Sequence, residues 1–238
     1  MRIANWNLER ASSAWRRDAI MKKIACVDAD IWILTETRDS LTPGATHSCV
    51  ASSRSRALGE RWISIWSRYP GVQRPTSDDE YAACAILDVG ARGQIALYGM
   101  VLPWAGSTWG GHPSANATAY RGAVDAQSGD WIALGKAFTD VCVAGDFNQD
   151  LSTKHYYWSA EARRVLRAAL TKSNLEAMTG GEDDPVRRIT DGAAACIDHV
   201  CLSSSLASRS SGGAQAWSGT IDTRRVSDHP GIYVDLTL

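Results

Sequence analysis

At 238 residues, 45% hydrophobic and 21% charged, the chain has the size and composition of one large globular domain or two small ones, which excludes a disordered or fibrous protein. Lys and Arg number 25 against 26 Asp and Glu, a formal charge of -1 that excludes bulk attraction to nucleic acid, so any polyanion must be met by local basic loops. The six cysteines form no CxxC pair and sit mostly in apolar runs, no apolar stretch reaches the ~18 residues of a membrane helix, and Met1 leads directly into a strand-like segment; a cytoplasmic protein without membrane association is expected.

Residues 2–9, RIANWNLE, alternate so that Ile3, Asn5, Asn7 and Glu9 share one face of a strand and Ala4, Trp6 and Leu8 the other, the first face turning polar toward its end. Ser12 or Ser13 then caps a helix whose buried stripe is Trp15, Ala19, Ile20 and Ile24. Residues 30–37, DIWILTET, form a second strand carrying Glu36 near its end, a carboxylate that needs a partner or a metal if buried and only water at an edge. Residues 38–61, rich in Ser, Thr, Gly and Arg without a period, are expected to be a long surface loop. Strands follow over 62–68, 82–89 and 94–102, the last two joined as a hairpin across 90–93. Residues 104–117 read as loop, and 129–139 as a helix with Trp131, Leu134 and Phe138 on its core side.

The next segment, VCVAGDFNQDL at 141–151, is a buried strand ending at Gly145, where the backbone is free to turn. Asp146 and Asn148, two apart, then point the same way if the chain stays extended, setting a proton-accepting carboxylate beside an amide that orients water; an Asx turn closing a loop is the alternative. A helix over 160–169 and a polar loop, GGEDDPVRR, precede strands over 195–203, 214–221 and 231–236. ACIDHVCLS places Asp198 and His199 on opposite faces of a strand, so only one of them serves a given site. RRVSDHPGIYVDL sets Asp228 and His229 just before the last strand, with Pro230 fixing the turn. About nine strands and three helices, without repeat or linker, predict an α+β chain of two packed sheets with helices outside, one domain over 1–238.

Five segments in this order, WN, TET, GDFN, IDH and SDH, each beginning or ending a strand, resemble the endonuclease/exonuclease/phosphatase superfamily, which includes deoxyribonuclease I, AP endonucleases, neutral sphingomyelinases and inositol polyphosphate 5-phosphatases. The resemblance spans 3–236, and GDFN at 145–148 with SDH at 227–229 are its most specific parts. It implies a four-layer α/β/β/α sandwich, two mixed sheets face to face with helices outside. It also implies that Asn7 and Glu36 flank a divalent metal, with Glu36 the principal ligand, Asp228 adding to the shell, and Glu9 at a position where some members carry an acidic ligand. Carboxylate and amide oxygens suit Mg²⁺ or Mn²⁺, whereas zinc asks for His or Cys. By the same resemblance Asp146 is the base or orienter for an attacking water and Asn148 holds both; His229 contacts the scissile phosphate, and Asp198 accepts its other ring N–H and fixes the tautomer. His199 is assigned to structure.

Arg38 follows TET where relatives often have a basic residue touching phosphate, a solvated arginine being the alternative. One departure stands out: the family usually carries a Tyr, His or Asn near the end of the strand that here reads YGMVLPW, and Met100, Val101, Leu102 and Trp104 stand there instead. His112, in the Gly-rich loop that follows, is the candidate replacement, against an exposed loop histidine. Trp6, Trp32, Trp62 and Trp131 read as core; Trp104 and Trp109 stack on a base or cover the sheet end. The reaction expected is hydrolysis of a nucleic acid phosphodiester, DNA favoured, by activated water; a small or lipid phosphate ester is the alternative, and a silent binding module a third. Three basic groups, Arg54, Arg56 and Arg61, then Arg187 and Arg188, then Arg224 and Arg225, border the motif segments where an extended polyanion would use them, unless they balance Asp183, Asp184 and Asp222. No obligate protein partner is expected.

Overall fold

The computed structural model describes residues 1–53, 57–109, 117–152 and 156–237. In chain order its first elements are β1 (Arg2–Asn7), α1 (Ala14–Val27), β2 (Ile31–Arg38), β3 (Ser48–Ala51), β4 (Glu60–Ser67), β5 (Gly71–Arg74), β6 (Ala82–Asp88) and β7 (Gln94–Val101). There follow α2 (Thr118–Ala137), β8 (Asp140–Asp146), α3 (Ala160–Lys172), β9 (Leu175–Ala177), α4 (Pro185–Ile189), β10 (Asp198–Ser203) and α5 (Ser204–Ala207). The chain closes with β11 (Gln215–Trp217), β12 (Thr220–Ile221), β13 (Arg224–Arg225) and β14 (Gly231–Asp235).

These strands form two six-stranded sheets, in the orders β11-β14-β1-β2-β4-β3 and β5-β6-β7-β8-β10-β9, with β12 and β13 as a separate ribbon. Period-two patterning gives each sheet an inner and an outer face. The inner faces meet in a core of branched and small residues, among them Ile3, Ile33, Ile63 and Ile232 from one sheet and Ala85, Leu97, Ala144 and Val200 from the other. On the outer face of the first sheet Ala4, Trp6, Trp32 and Leu34 pack with Ile20 and Ile24 of α1. On the outer face of the second, Tyr98 and Val143 pack with Tyr120 and Trp131 of α2 and Leu166 of α3. The result is the four-layer α/β/β/α sandwich, and no helix among the described residues is long and apolar enough to cross a membrane.

The element boundaries depart from expectation where tertiary pairing overrides local pattern. The expected loop over 38–61 contains β3, an edge strand of SCVA that pairs with β4 through Cys49 opposite Trp66, and its partial exposure leaves no alternating signal. The helix expected over 129–139 is the second half of α2, whose first half buries small and polar residues, Ala119, Ala123, Gln127 and Ser128, and so lacks an apolar period. Within GGEDDPVRR, Asp184 accepts hydrogen bonds from the backbone N–H groups of Val186 and Arg187 and Pro185 opens α4, a helix start in what reads as loop. Ser13 is the N-cap of α1, as one of two options, but its side chain makes no capping bond.

Candidate functional site

Topology gathers the motif residues at one end of both sheets. Strands β1 and β2 are parallel, so Asn7 and Glu36 emerge at the same end. β14 runs antiparallel to β1, which brings His229, two residues before it, back to that end. In the other sheet β10 is antiparallel to β8 with Asp198 directly opposite Asp146. The sheets are tied together here by polar bonds: Asn5 donates from Nδ2 to the Gly145 carbonyl at 2.9 Å, and Asn7 donates from Nδ2 to Asp146 Oδ2 at 2.9 Å. Gly145 is what lets β8 lie against β7 at this point. Its φ is +147°, and a Cβ there would lie 1.9 Å from the Met100 carbonyl oxygen.

A cavity of about 450 Å³ opens at this end, walled by Glu9, Glu36, Asp146, Asn148, Asp228 and His229 of the predicted set, together with Arg10, Trp104, Tyr156, Tyr157 and Ile197. Another, of about 540 Å³, lies against the outer side of α1 and contains none of these residues. Backbone strain concentrates at the first: Glu9, Arg10, Ala11, Glu36 and Asn148 all have positive φ, between 26° and 56°.

Asp146 is almost fully buried and held on both oxygens, Oδ2 by Asn7 and Oδ1 by the backbone N–H of Asn148 at 2.9 Å. That second bond is an Asx turn, so the structural alternative weighed for GDFN and its use in a site are the same geometry. The Asn148 side chain donates to the Leu102 carbonyl at 2.9 Å, which fixes the amide at the cavity wall. Two carboxylates facing each other on adjacent strands repel, and His229 stands between them chemically: it donates from Nδ1 to Asp198 Oδ2 at 2.6 Å, and ligand atoms of Asp146, Asp198 and His229 all lie within 4.8 Å of one another. Burial, followed by the charge of Asp198, pushes the Asp146 carboxyl up to about 7. Burial opposes the charged imidazole of His229, but the carboxylates of Asp198 and Asp146 outweigh it and raise that group to about 10. Near neutral pH the site therefore sets a carboxyl close to its titration midpoint beside an imidazolium. The His229 loop is itself anchored, its N–H donating to Ser227 Oγ at 3.1 Å, its carbonyl accepting from Trp6 Nε1 at 3.0 Å, and Ser227 donating to the Asn7 carbonyl at 2.6 Å.

Glu36 is paired with Arg10 at 3.2 Å and lies 3.4 Å from the Asn7 amide nitrogen. Asp228 is more open, with 46% of its side chain exposed and an oxygen 3.9 Å from His229 Nε2. Glu9 reaches the cavity but carries two arginines, Arg16 at 3.0 Å and Arg225 at 2.9 Å. The Asn7 amide oxygen accepts from the Glu9 N–H at 2.9 Å. Carboxylate and amide oxygens with no thiol in the lining are the donor chemistry of a hard divalent cation. Asp198 Oδ1 is buried with no hydrogen-bond partner among the described residues, which leaves an unsatisfied acceptor in this cluster.

Several sequence-based candidates are placed elsewhere. Arg38 does not face the cavity: it donates from Nε to the Arg10 carbonyl at 2.6 Å and pairs with Glu60 at 2.5 Å, stapling the strained turn from below. Arg224 lies over the Trp15 ring at 3.6 Å and lines the cavity against α1, because the short β12–β13 ribbon turns its side chain toward that helix. Arg225 reaches only the rim, through Glu9. Arg61 is bound to Asp39, Arg187 contacts Asp184 and Ser152, and Arg188 donates to the Ala214 carbonyl, so of the three acids expected to balance these arginines Asp184 alone is paired with one of them among the described residues. Arg54, Arg56 and His112 lie outside the described residues. Trp104 is in the wall, 40% exposed and tilted against Trp62, whereas Trp109 is turned away, donating to Asp78 at 2.9 Å. His199 is buried, donating to the Gln149 carbonyl at 2.9 Å and bonded to Thr179, in accord with a structural assignment.

Sequence reasoning missed Arg10, Tyr156, Tyr157 and Ile197. Ile197 is simply the neighbour of Asp198, and Arg10 enters only through the positive-φ turn, which no pattern announces. The tandem tyrosines carried a usable signal, since two large amphipathic side chains in a loop shortly after GDFN have no helix or strand to bury them.

A family model described as "Endonuclease/Exonuclease/phosphatase family" matches residues 4–229. No curated protein matches the chain. Among solved structures, the chain is similar to a 3′ phosphatase from Neisseria bound to product DNA hairpin, at 15% identity, 100% coverage of both chains and a TM-score of 0.73. It is similar to an AP endonuclease from Archaeoglobus fulgidus at 15% identity, with 100% of each chain covered and a TM-score of 0.71. A third likeness is to the AP endonuclease of Leishmania major, at 14% identity, 98% of this chain and 86% of that chain, and a TM-score of 0.71.

Proposed function

Because the chain belongs to the endonuclease/exonuclease/phosphatase family, a group that hydrolyses phosphate esters, we propose that it is a divalent-metal-dependent phosphodiesterase acting on nucleic acid, DNA before RNA. The observation that carries the reading is the pairing of a doubly oriented, near-neutral Asp146 carboxyl with a charged His229 in one cavity. In the ionised form Asp146 accepts a proton from water, and the bonds from Asn7 and the Asn148 N–H leave the carboxylate little freedom to turn away from it. His229, held by Asp198 at Nδ1, presents Nε2–H to a phosphate oxygen and offsets the charge that grows there as the water adds. Glu36 and Asp228, with Asn7 behind them, are the residues to hold Mg²⁺ or Mn²⁺; such an ion supplies Lewis-acid neutralisation of the phosphate. Glu9, matched by Arg16 and Arg225, serves better to shape the turn than to bind metal.

The substrate class is supported by Trp104 and the exposed Tyr156, two aromatic faces in the wall that suit a nucleobase, and by the DNA-processing relatives of the same fold. Six free cysteines agree with a reducing, cytoplasmic setting. The test is incubation of purified protein with Mg²⁺ or Mn²⁺ and a panel of plasmid, single strands, abasic duplex, RNA, inositol phosphates and bis(4-nitrophenyl) phosphate. Metal-dependent cleavage of DNA is expected; turnover restricted to inositol phosphates would move the assignment to a small-ester hydrolase.

A further inference from the structure

We propose that Tyr157 is a substrate-contacting catalytic residue, its phenol donating to a non-bridging phosphate oxygen beside His229, and that buried Asp150 is the positioning residue that holds it there. The inference rests on the phosphoesterase reading above. A phosphate entering this cavity meets the carboxylates of Glu9, Glu36, Asp146 and Asp228, so it needs hydrogen-bond donors. The end of β7, which continues into Val101, Leu102 and Pro103, is apolar and supplies none. Tyr157 lines the same cavity from a different loop. Its Oη accepts only a long bond, 3.4 Å, from the Ala105 N–H, and its own hydrogen meets no acceptor among the described residues. Burial, helped by the charges of Asp146 and Asp228, outweighs the bond from the Ala105 N–H and holds the phenol protonated, which keeps it a donor.

The backbone of Tyr157 is also held in place. Asp150 is fully buried and accepts the Tyr157 N–H at 2.8 Å; Ser152 Oγ and Arg163 meet its other oxygen at 2.8 Å and 3.5 Å. Gln149, equally buried, donates to the Tyr157 carbonyl at 2.9 Å. Two polar side chains buried immediately after GDFN would be costly without partners. Each of the two has one partner on the backbone of Tyr157, so the buried pair holds both its N–H and its carbonyl at the cavity wall.

The experiment is steady-state kinetics on bis(4-nitrophenyl) phosphate with Mn²⁺, with inorganic phosphate binding and melting temperature measured in parallel. For Tyr157→Phe, kcat is expected to fall about tenfold to a hundredfold with KM nearly unchanged, phosphate binding weakened and the melting temperature kept. Asp150→Asn should lower kcat by a similar factor, and the double variant should lose no more than the larger single loss, as for one residue acting through the other. Normal wild-type turnover with an unimpaired Tyr157→Phe overturns this inference alone, as does a loss that appears only together with a lowered melting temperature. A wild-type protein that neither turns over the diester nor binds phosphate overturns the phosphoesterase reading and takes this inference with it.

Discussion

Asp146 and His229 perturb one another directly and each also feels Asp198, and the pH dependence of the reaction is the readout of that coupling. With Asp146 raised to about 7 and needed as the base, activity should climb as pH passes that value; with His229 raised to about 10 and needed as the cation, it should decline as pH approaches it. The sign is specific, since a depressed carboxyl would leave activity flat at neutral pH. Asp198→Asn removes the charge that holds the imidazole proton, so the alkaline limb of a kcat/KM profile should move down by about one pH unit or more; an unmoved limb contradicts the pairing. Glu36→Gln keeps the shape and removes the ligand charge, and activity should drop by orders of magnitude with part restored at high Mn²⁺; unchanged activity would remove Glu36 from the metal site. At this scale the polar motif residues were legible because their chemistry is local to strand ends. The arginines were not. Arg38 and Arg224 are long side chains whose partners, Glu60 and Trp15, are set by folding, while Arg10 and Tyr157 reach the cavity through turns that carry no periodic signal.

Between elements, the contact that most constrains the site is the passage of β8 past β7. They pair in parallel with Gly145 opposite Met100, and the missing side chain lets the two backbones lie together while the Gly145 carbonyl accepts from Asn5 of the other sheet. Gly145→Ala should therefore destabilise by roughly 3 kcal/mol or more, from a steric clash and a φ that L-residues avoid, and should abolish activity in whatever protein folds. Denaturant titration checks this, and a variant of wild-type stability would mean that the two strands sit farther apart. Strands of six or more residues, such as β1 and β7, were readable from the chain. β3 and β5 are short edge strands, defined by what they pair with, and α4 rests on the cap at Asp184 rather than on an apolar stripe.

For the whole molecule, near-neutral charge and internally bound arginines limit how strongly a polyanion is held. Arg61, Arg187, Arg188, Arg224 and Arg225 each contact an acid, a carbonyl or a ring of the protein itself, so nucleic acid binding should involve few phosphate contacts. The logarithm of the binding constant should then fall with the logarithm of salt at a slope of about -2, and a slope beyond about -5 would show that these arginines rearrange onto the substrate. The layered architecture was legible, because motif order along the chain and sheet patterning agree. The global charge argument was not a guide to substrate, because ion pairs across the fold decide which cations face outward.

The most direct test of the account is a double-mutant cycle on the best phosphodiester substrate, comparing kcat/KM of Asp146→Asn, His229→Ala and the combined variant at pH 8. Each single change should cost roughly 10²-fold or more with the fold intact by circular dichroism, and the pair should lose less than the product, as expected of two groups acting on one step. Losses that multiply, or a single variant with full activity, would contradict a shared hydrolytic site.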